Sequence, residues 1–464
     1  ISEILLKSQS GLDIYSGPLW SVGYIDGYDD GACYIFLTFH HLIFDAVSAR
    51  IVLNDLKALY YGEDISEKTT SYRQWQNKLS QYYEVCSFEK TYWRNMLEGA
   101  PFSVCLSEGM SQELAFEWSV SKTKALLSAN AAYNTRTDHL LLTALAYSLE
   151  EMTSQAVNHI VVEGHGREHF SSDVELINIV GWFTSLFPMP LAVGNSVAQT
   201  LRSVKDFFFT LPNGGIGCLP FNSDPDSLPK IAFNFFGQIG ACETEWKFAH
   251  IFSNHVMPRP SLDAYLLSID SVIVDDVLRV NIRSSIKEDP VQRFAELYKR
   301  NLEDIVSKCN LQNEHGLKHY TFADFRSEFE PYTIVNRSHQ RPIFLLPPGN
   351  GGYESYLNTL VPEFGDLHLV LFNNLYLKVF EKYGYKPLEN MTFEELAFDY
   401  ISIIKSLQPN GPYHLVGYCF GGVLAYEIAR QLRVRGEDVR MVGMIDSYFN
   451  QPAAIQAVKR EHHL

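Results

Sequence analysis

Apolar and polar positions follow two different rhythms along this chain, and the change of rhythm divides it. In the first part a dense apolar run, ACYIFLTFHHLIF, leads into VSARIVLNDLKALYYG. Its apolar residues recur every three to four positions, as on one face of a helix, and a glycine stands where that helix should stop. DHLLLTALAYSLEEM reads as a buried helix and NHIVVEGHG as a short buried strand ending at Glu163. LRVNIRSS reads as a strand and VQRFAELYKRNLEDIVSKC as a long amphipathic helix. From about Gly316 to Arg341 the pattern weakens into polar and aromatic residues around Pro331, with Pro342 beyond, and residues 326–341 are expected to form a linker. Past it the strands PIFLLPPG, LHLVLFNN, YHLVG and VRMVGMIDSY are interleaved with the helices MTFEELAFDYISIIKSLQ and VLAYEIARQLRVRG. Thr392 and Glu395 have the spacing of a capping box. Strands alternating with helices imply parallel βαβ units, hence an α/β sheet.

A length of 464 residues exceeds one ordinary core, and two domains are expected, residues 1–325 and 342–464. Composition is that of a globular protein, 46% hydrophobic and 20% charged, which argues against disorder. With 38 basic and 54 acidic side chains the net charge is −16, a field that repels phosphate backbones and makes nucleic acid an unexpected partner. No run approaches the roughly 18 apolar residues a membrane span needs. The opening ISEILLKSQSG lacks the basic-then-apolar profile of a signal peptide, so a cytoplasmic protein is expected. Seven cysteines without regular spacing suit reduced thiols better than a disulfide framework. The first residue is Ile rather than Met, which suggests a piece of something larger.

The chemistry concentrates in two places. In YHLVGYCFGGVLAYEIA a strand turns into a helix through GYCFGG, a turn that exposes one side chain and needs glycines at its flanks. Cys419 holds the exposed position, at a helix N-terminus where the dipole stabilises negative charge. The amide of Phe420, and one near Gly349 in PPGNGG, are candidate oxyanion donors. Asp446, at the end of the next strand, could orient a histidine. A structural turn with an inert thiol is the plainer alternative.

In the first part, HHLIFDAVS places His40 and His41 at the end of an apolar strand, with Asp45 four residues after the second. Adjacent strand residues face opposite ways, so one histidine is expected to face a cleft as proton carrier while Asp45 holds the loop. Glu163 ends a buried strand in VVEGHGREH, where burial would raise its carboxyl toward working pH. IVGWFTSLFP, LPNGGIG and FNFFGQ, which contains Asn234, follow. His165 and His169 have i, i+4 spacing, but the strand-loop context speaks against zinc, and no metal or bound cofactor is expected.

In order and spacing the first-part segments, with DISEKTTSYRQW between the histidine pair and the glutamate, resemble the epimerization domains of nonribosomal peptide synthetases. These are relatives of condensation domains. Ala46 replaces a common glycine, and Ala49 stands where a tryptophan often follows. The second part resembles the type I thioesterase domains that end such synthetases, with Cys419 in place of the usual serine. Its histidine has no obvious counterpart, since His462 and His463 lie close behind Asp446.

The resemblance implies a chloramphenicol-acetyltransferase-like, two-lobed domain that lacks its opening segment, joined to an α/β-hydrolase domain that lacks its C-terminal part. It implies His41 and Glu163 as an opposed acid–base pair at the α-carbon of a peptidyl thioester, with His40, Asp45 and Asn234 supporting the motifs. It implies Cys419 and Asp446 as thioesterase catalytic residues, and a peptidyl carrier domain as the partner whose phosphopantetheine arm presents the substrate. A carrier signature of the leucine-glycine-glycine-x-serine kind is absent from the sequence. Condensation or acyl transfer with a cyclising or aminolysing thioesterase, and a non-catalytic carrier-docking module, remain as alternatives.

Overall fold

The structure is a computed structural model that describes residues 2–29, 31–65, 69–85, 87–98, 108–168, 174–176, 178–221, 228–239, 246, 265–286, 288–314, 322–325, 329–338, 340–349, 351, 361–384 and 391–447. His169, His462 and His463 lie outside the described residues. Helix α1 (Ser2–Ser10) precedes an antiparallel pair, β1 (Trp20–Ile25) and β2 (Tyr34–Phe39). Helices α2 (Ala46–Tyr60), α3 (Tyr72–Val85) and α4 (Ser87–Glu98) follow. Next come β3 (Glu108–Glu117), α5 (Val120–Ala129), α6 (Thr137–Thr153), β4 (Val157–Gly164), β5 (Ser185–Ala192), α7 (Val197–Thr210) and α8 (Cys218–Phe221). β6 (Ile231–Ile239), β7 (Leu267–Val274), β8 (Val277–Ile286) and α9 (Glu288–Glu314) close the first part. The second part runs β9 (Tyr332–Val335), β10 (Ile343–Leu346), β11 (Leu369–Phe372), α10 (Leu375–Tyr383), α11 (Phe393–Leu407), β12 (Tyr413–Tyr418), α12 (Phe420–Val434) and β13 (Val439–Ile445).

Compactness gathers residues 1–124, 158–190 and 212–297 into one unit and 125–157, 191–211 and 298–464 into another. In the first unit a mixed sheet has the order β3-β8-β7-β6-β4-β5. β4, β6 and β7 are parallel neighbours, while β7 with β8 and β8 with β3 are antiparallel. Period-two alternation separates its faces: on β7, Leu267, Ile269 and Ile273 are buried, whereas Ser268 and Asp270 lie on the opposite, half-buried face. That second face is polar, and it carries the first candidate site.

The second unit holds a five-stranded sheet, order β13-β12-β10-β11-β9, in which β13, β12, β10 and β11 run parallel. Both faces are apolar, as a parallel sheet covered by helices requires. Phe344, Leu346, Phe372 and Leu415 pack with Tyr400 and Ile404 of α11 and Leu424 and Ile428 of α12 on one side; Leu345, Leu371 and Val416 cluster on the other. The stretch read as a linker is partly structural. Tyr332–Val335 forms β9, an antiparallel edge strand on β11, and Phe322 and Phe325 just upstream are buried in the same core. Four residues flanked by polar positions are too few for alternation to stand out in the sequence. Beside this core α7 packs on α11; Lys205 pairs with Asp324 at 2.6 Å, and burial pushes the Asp206 carboxyl up to about 7.

The capping box at α11 forms as its spacing requires: the Thr392 hydroxyl accepts from the Glu395 amide at 3.2 Å, and the Glu395 carboxylate accepts from the Thr392 amide at 3.1 Å. Thr392→Ala is expected to lower stability against urea by about 1 kcal/mol, with Thr392→Ser close to the parent; equal midpoints for all three proteins would contradict this role.

Candidate active sites

The histidine pair does not continue the strand. β2 ends at Phe39 and His41–Ile43 forms a 3-10 turn, for which His40 is the cap, its Nδ1 accepting from the Leu42 amide at 3.2 Å. The two histidines therefore head a turn and do not occupy neighbouring strand positions. His41 Nδ1 lies 2.8 Å from the Phe44 carbonyl oxygen. A carbonyl can only accept, so Nδ1 carries the hydrogen, and Nε2 is the atom left to take up or deliver a proton. The imidazole packs 5.4 Å from the Trp182 ring, centroid to centroid.

Asp45 fixes this turn. It caps α2, and its buried carboxylate accepts from the amides of Ser48 (2.7 Å) and Phe183 (3.1 Å) and from both terminal nitrogens of Arg167 (2.7 and 3.0 Å). Burial pushes the carboxyl up, but Arg167 and the Ser48 amide outweigh it and hold Asp45 below its usual value. Arg167 also donates to Ser48 Oγ and the Ile179 carbonyl and stacks over Phe183 at 4.1 Å. Gly166 makes this approach feasible: at φ +64° it stands where a Cβ would meet the Phe183 carbonyl oxygen at 1.6 Å.

Glu163 stands at the C-terminal end of β4. The register Val161↔Ala232 and Val162↔Phe233 makes Asn234 its neighbour on β6, and the Asn234 side-chain amide donates to its carboxylate. Burial pushes the Glu163 carboxyl up to about 7 and the charge of Asp270 adds to the effect; His41, Arg283 and the Asn234 hydrogen bond oppose it. His41 is therefore within electrostatic reach of Glu163, and Asn234 is in hydrogen-bond contact with it. Sequence reasoning missed Arg167, Trp182, Asp270 and Arg283. Arg167 and Trp182 sit inside the segments VVEGHGREH and IVGWFTSLFP, but only the fold shows which partners they meet. His165 faces Glu168 at 3.4 Å, and no group of His, Cys, Asp or Glu able to hold a metal occurs among the described residues.

In the second unit β12 turns sharply into α12 at Cys419, whose φ of +54° and ψ of −117° are costly for a residue with a Cβ. The turn survives because its neighbours have none. A Cβ on Gly417 would meet Gly421 at 2.1 Å, and one on Gly421 would meet the Leu346 carbonyl at 2.3 Å. The Cys419 thiol is exposed, and its amide donates to the Ile445 carbonyl at 2.8 Å, tying the elbow to the end of β13 beside Asp446. Tyr418 donates to Asp446 at 3.4 Å. The Gly349 turn lies against Phe420, and the buried Asn374 side chain pins it by donating to the carbonyls of Pro348 (2.7 Å) and Gly349 (3.1 Å).

The two parts of the chain that carry these sites each match a known family. Residues 1–317 match the condensation domain model, and residues 341–462 match the thioesterase domain model. The chain belongs to the condensation-domain family of nonribosomal peptide synthetases and carries a thioesterase domain behind it. It is similar to the N-(5-amino-5-carboxypentanoyl)-L-cysteinyl-D-valine synthase of Amycolatopsis lactamdurans, 34% identical over 476 residues, 98% of this chain and 12% of that protein. The synthase of the same name from Penicillium rubens is 29% identical over 479 residues, 99% of this chain and 12% of its own length. The chain thus spans about an eighth of these curated relatives. Among solved structures, the epimerization domain of the third module of tyrocidine synthetase B aligns with a TM-score of 0.56 at 25% identity, covering 67% of this chain and 76% of that one. Domains of these two kinds need no bound cofactor; condensation domains work with carrier domains, which carry the phosphopantetheine and the peptidyl thioester. Among the described residues no helix is long and apolar enough to cross a membrane.

Arg167→Met leaves the Asp45 carboxylate buried without its cation, and is expected to cost about 3–5 kcal/mol at pH 7. The folded pKa of Asp45 lies below its unfolded value, so in the parent its contribution is present above about pH 4 and fades as the pH falls further. The stranded carboxyl of the variant can take a proton at higher pH. The deficit in urea denaturation should therefore narrow as the pH drops from 7 to 4, and a deficit constant with pH would contradict the assignment.

Proposed function

We propose that this chain inverts the last residue of a carrier-bound peptidyl thioester from L to D and then releases the peptide through an acyl-enzyme on Cys419. The observation that carries the first half is the Glu163 carboxyl at the end of β4: half-buried, held by Asn234, within electrostatic reach of His41, and pushed up to about 7 by burial. A carboxyl that exchanges its proton near neutrality can serve as either acid or base at working pH. One of the pair takes the α-proton, and the C–H electron pair moves into the thioester enolate. The other delivers a proton to the opposite face, so no net proton is consumed. His41 enters through Nε2, Asp45 and Arg167 hold its turn, and which partner acts first depends on the direction of inversion.

The release half rests on the exposed Cys419 thiol at its strained elbow. Its sulfur attacks the thioester carbonyl, the amides of Phe420 and Gly349 receive the oxyanion, and the carrier thiol departs, leaving the peptide on Cys419. Water then gives the free carboxylic acid and regenerates the thiol. Asp446 is the orienting carboxylate for a histidine outside the described residues. Residues 1–325 are assigned to inversion and the sheet from Tyr332 onward to release. The 34% identical relative favours an aminoadipyl-cysteinyl-valine peptide as substrate, presented by a peptidyl carrier domain in the cytoplasm.

The test uses a peptidyl-pantetheine thioester in D2O. Glu163→Gln and His41→Ala should each slow α-deuterium incorporation by about 100-fold or more while leaving release intact. Cys419→Ala should abolish the covalent adduct seen by intact-protein mass spectrometry while leaving incorporation intact. Bond formation to an added acceptor amine, without α-exchange, would favour condensation instead. An adduct that persists in Cys419→Ala would remove Cys419 as nucleophile.

A further inference from the structure

The polar face of the six-stranded sheet holds more than the groups that touch Glu163. Asn234 is in register with Asp270 on β7, and Asp270 with Asn281 on β8, so a row of polar side chains leads across the sheet from Glu163 on one face. Two residues along β8 on that face, Arg283 forms an ion pair with Asp270. The carboxyl of Asp270 and the guanidinium of Arg283 are largely enclosed, at 18% and 25% side-chain exposure, where charges act over distance with little screening. Beyond them Glu113 of β3 is in register with Arg283 and accepts from the Asn281 side chain at 2.6 Å.

We propose that Asp270, oriented by Arg283, is a positioning residue for inversion: the balance of this ion pair decides whether Glu163 meets the substrate as acid or as carboxylate. The inference rests on reading Glu163 as a catalytic group and adds the device that sets its protonation. The groups facing Glu163 are His41 from the turn after β2, Asn234 from β6, Asp270 from β7, Arg283 from β8, and Tyr265 just before β7. β5, which neighbours β4 on its other side, has no charged residue. Of these groups Asp270 is the anion that favours the protonated carboxyl, while Arg283 and His41 oppose it. Asp270 is itself raised by burial, with Arg283 drawing it back and Glu113 adding to the rise, so the ion pair leaves a net field that either member can tip.

The two charges push Glu163 in opposite directions, which gives a test that a merely structural pair would fail. The α-deuterium incorporation rate of an aminoadipyl-cysteinyl-valyl pantetheine thioester would be followed against pH for the parent chain, Asp270→Asn, Arg283→Gln and Glu163→Gln. Asp270→Asn keeps the shape and removes the anion, so the ionisation absent from Glu163→Gln should move down by on the order of half a unit to one unit. Arg283→Gln keeps hydrogen-bonding capacity and removes the cation, so the same ionisation should move up. If Glu163→Gln is inactive but the two other variants leave the profile in place, or move it in the same direction, the role of the pair is overturned while the reading of Glu163 stands. If Glu163→Gln incorporates deuterium at the parent rate, that reading fails and takes this inference with it.

Discussion

A carboxyl group partly shielded from water holds its proton more tightly, and the first site depends on that constraint at half-buried Glu163. Its position comes from topology: β4 and β6 are parallel neighbours, their register sets Glu163 beside Asn234, and the polar face of the sheet surrounds both. Burial alone would give a neutral acid that neither donates nor accepts readily at working pH. The opposing contributions of Asp270 on one side and of His41, Arg283 and Asn234 on the other bring it to about 7, where both forms are populated. The His41 imidazole is placed by a different device, the Asp45–Arg167 pair, which fastens the turn at His41–Ile43 to residues 179–183. One carboxyl in this unit is thus held below its usual value by full hydrogen bonding and the other raised by partial burial.

The second unit uses backbone strain instead of desolvation. Cys419 sits in a conformation that glycines at 417 and 421 permit by letting β12, α12 and the β10 turn approach closely, and the result is an exposed thiol at the head of α12. Transfer from a carrier thioester to a cysteine yields another thioester, nearly isoenergetic with the first and still activated. A serine would give a less reactive ester. The cysteine therefore suits an acyl transfer whose second half must stay easy.

Much of this could be read from the residues, and the exceptions have physical causes. The α/β rhythm of the second part was visible because its central strands β10, β11 and β12 are buried on both faces and read as continuous apolar runs, and the elbow because of its flanking glycines. Glu163 stood out at the end of such a run, and FNFFGQ pointed to Asn234. What escaped was long-range or local in ways a pattern does not encode. β9 is too short to show alternation, and its partner β11 lies more than thirty residues away. The histidine pair was read as the last residues of a strand because ACYIFLTFHHLIF stays apolar past Phe39, whereas β2 stops at Phe39 and the hydrogen bond from His41 to Phe44 accompanies a 3-10 turn there. Asp270 and Arg283 lie in ordinary alternating strands, and only the pairing of β7 with β6 and β8 gives them a meaning.

The most direct measurement is the titration of the Glu163 carboxyl itself, by infrared difference spectroscopy of the parent chain against Glu163→Gln. A protonated-carboxyl stretch absent from the variant should disappear with a midpoint near pH 7. A midpoint in the ordinary glutamate range, about pH 4.3, would mean that water reaches this carboxyl freely, and would contradict the acid–base role on which the account stands.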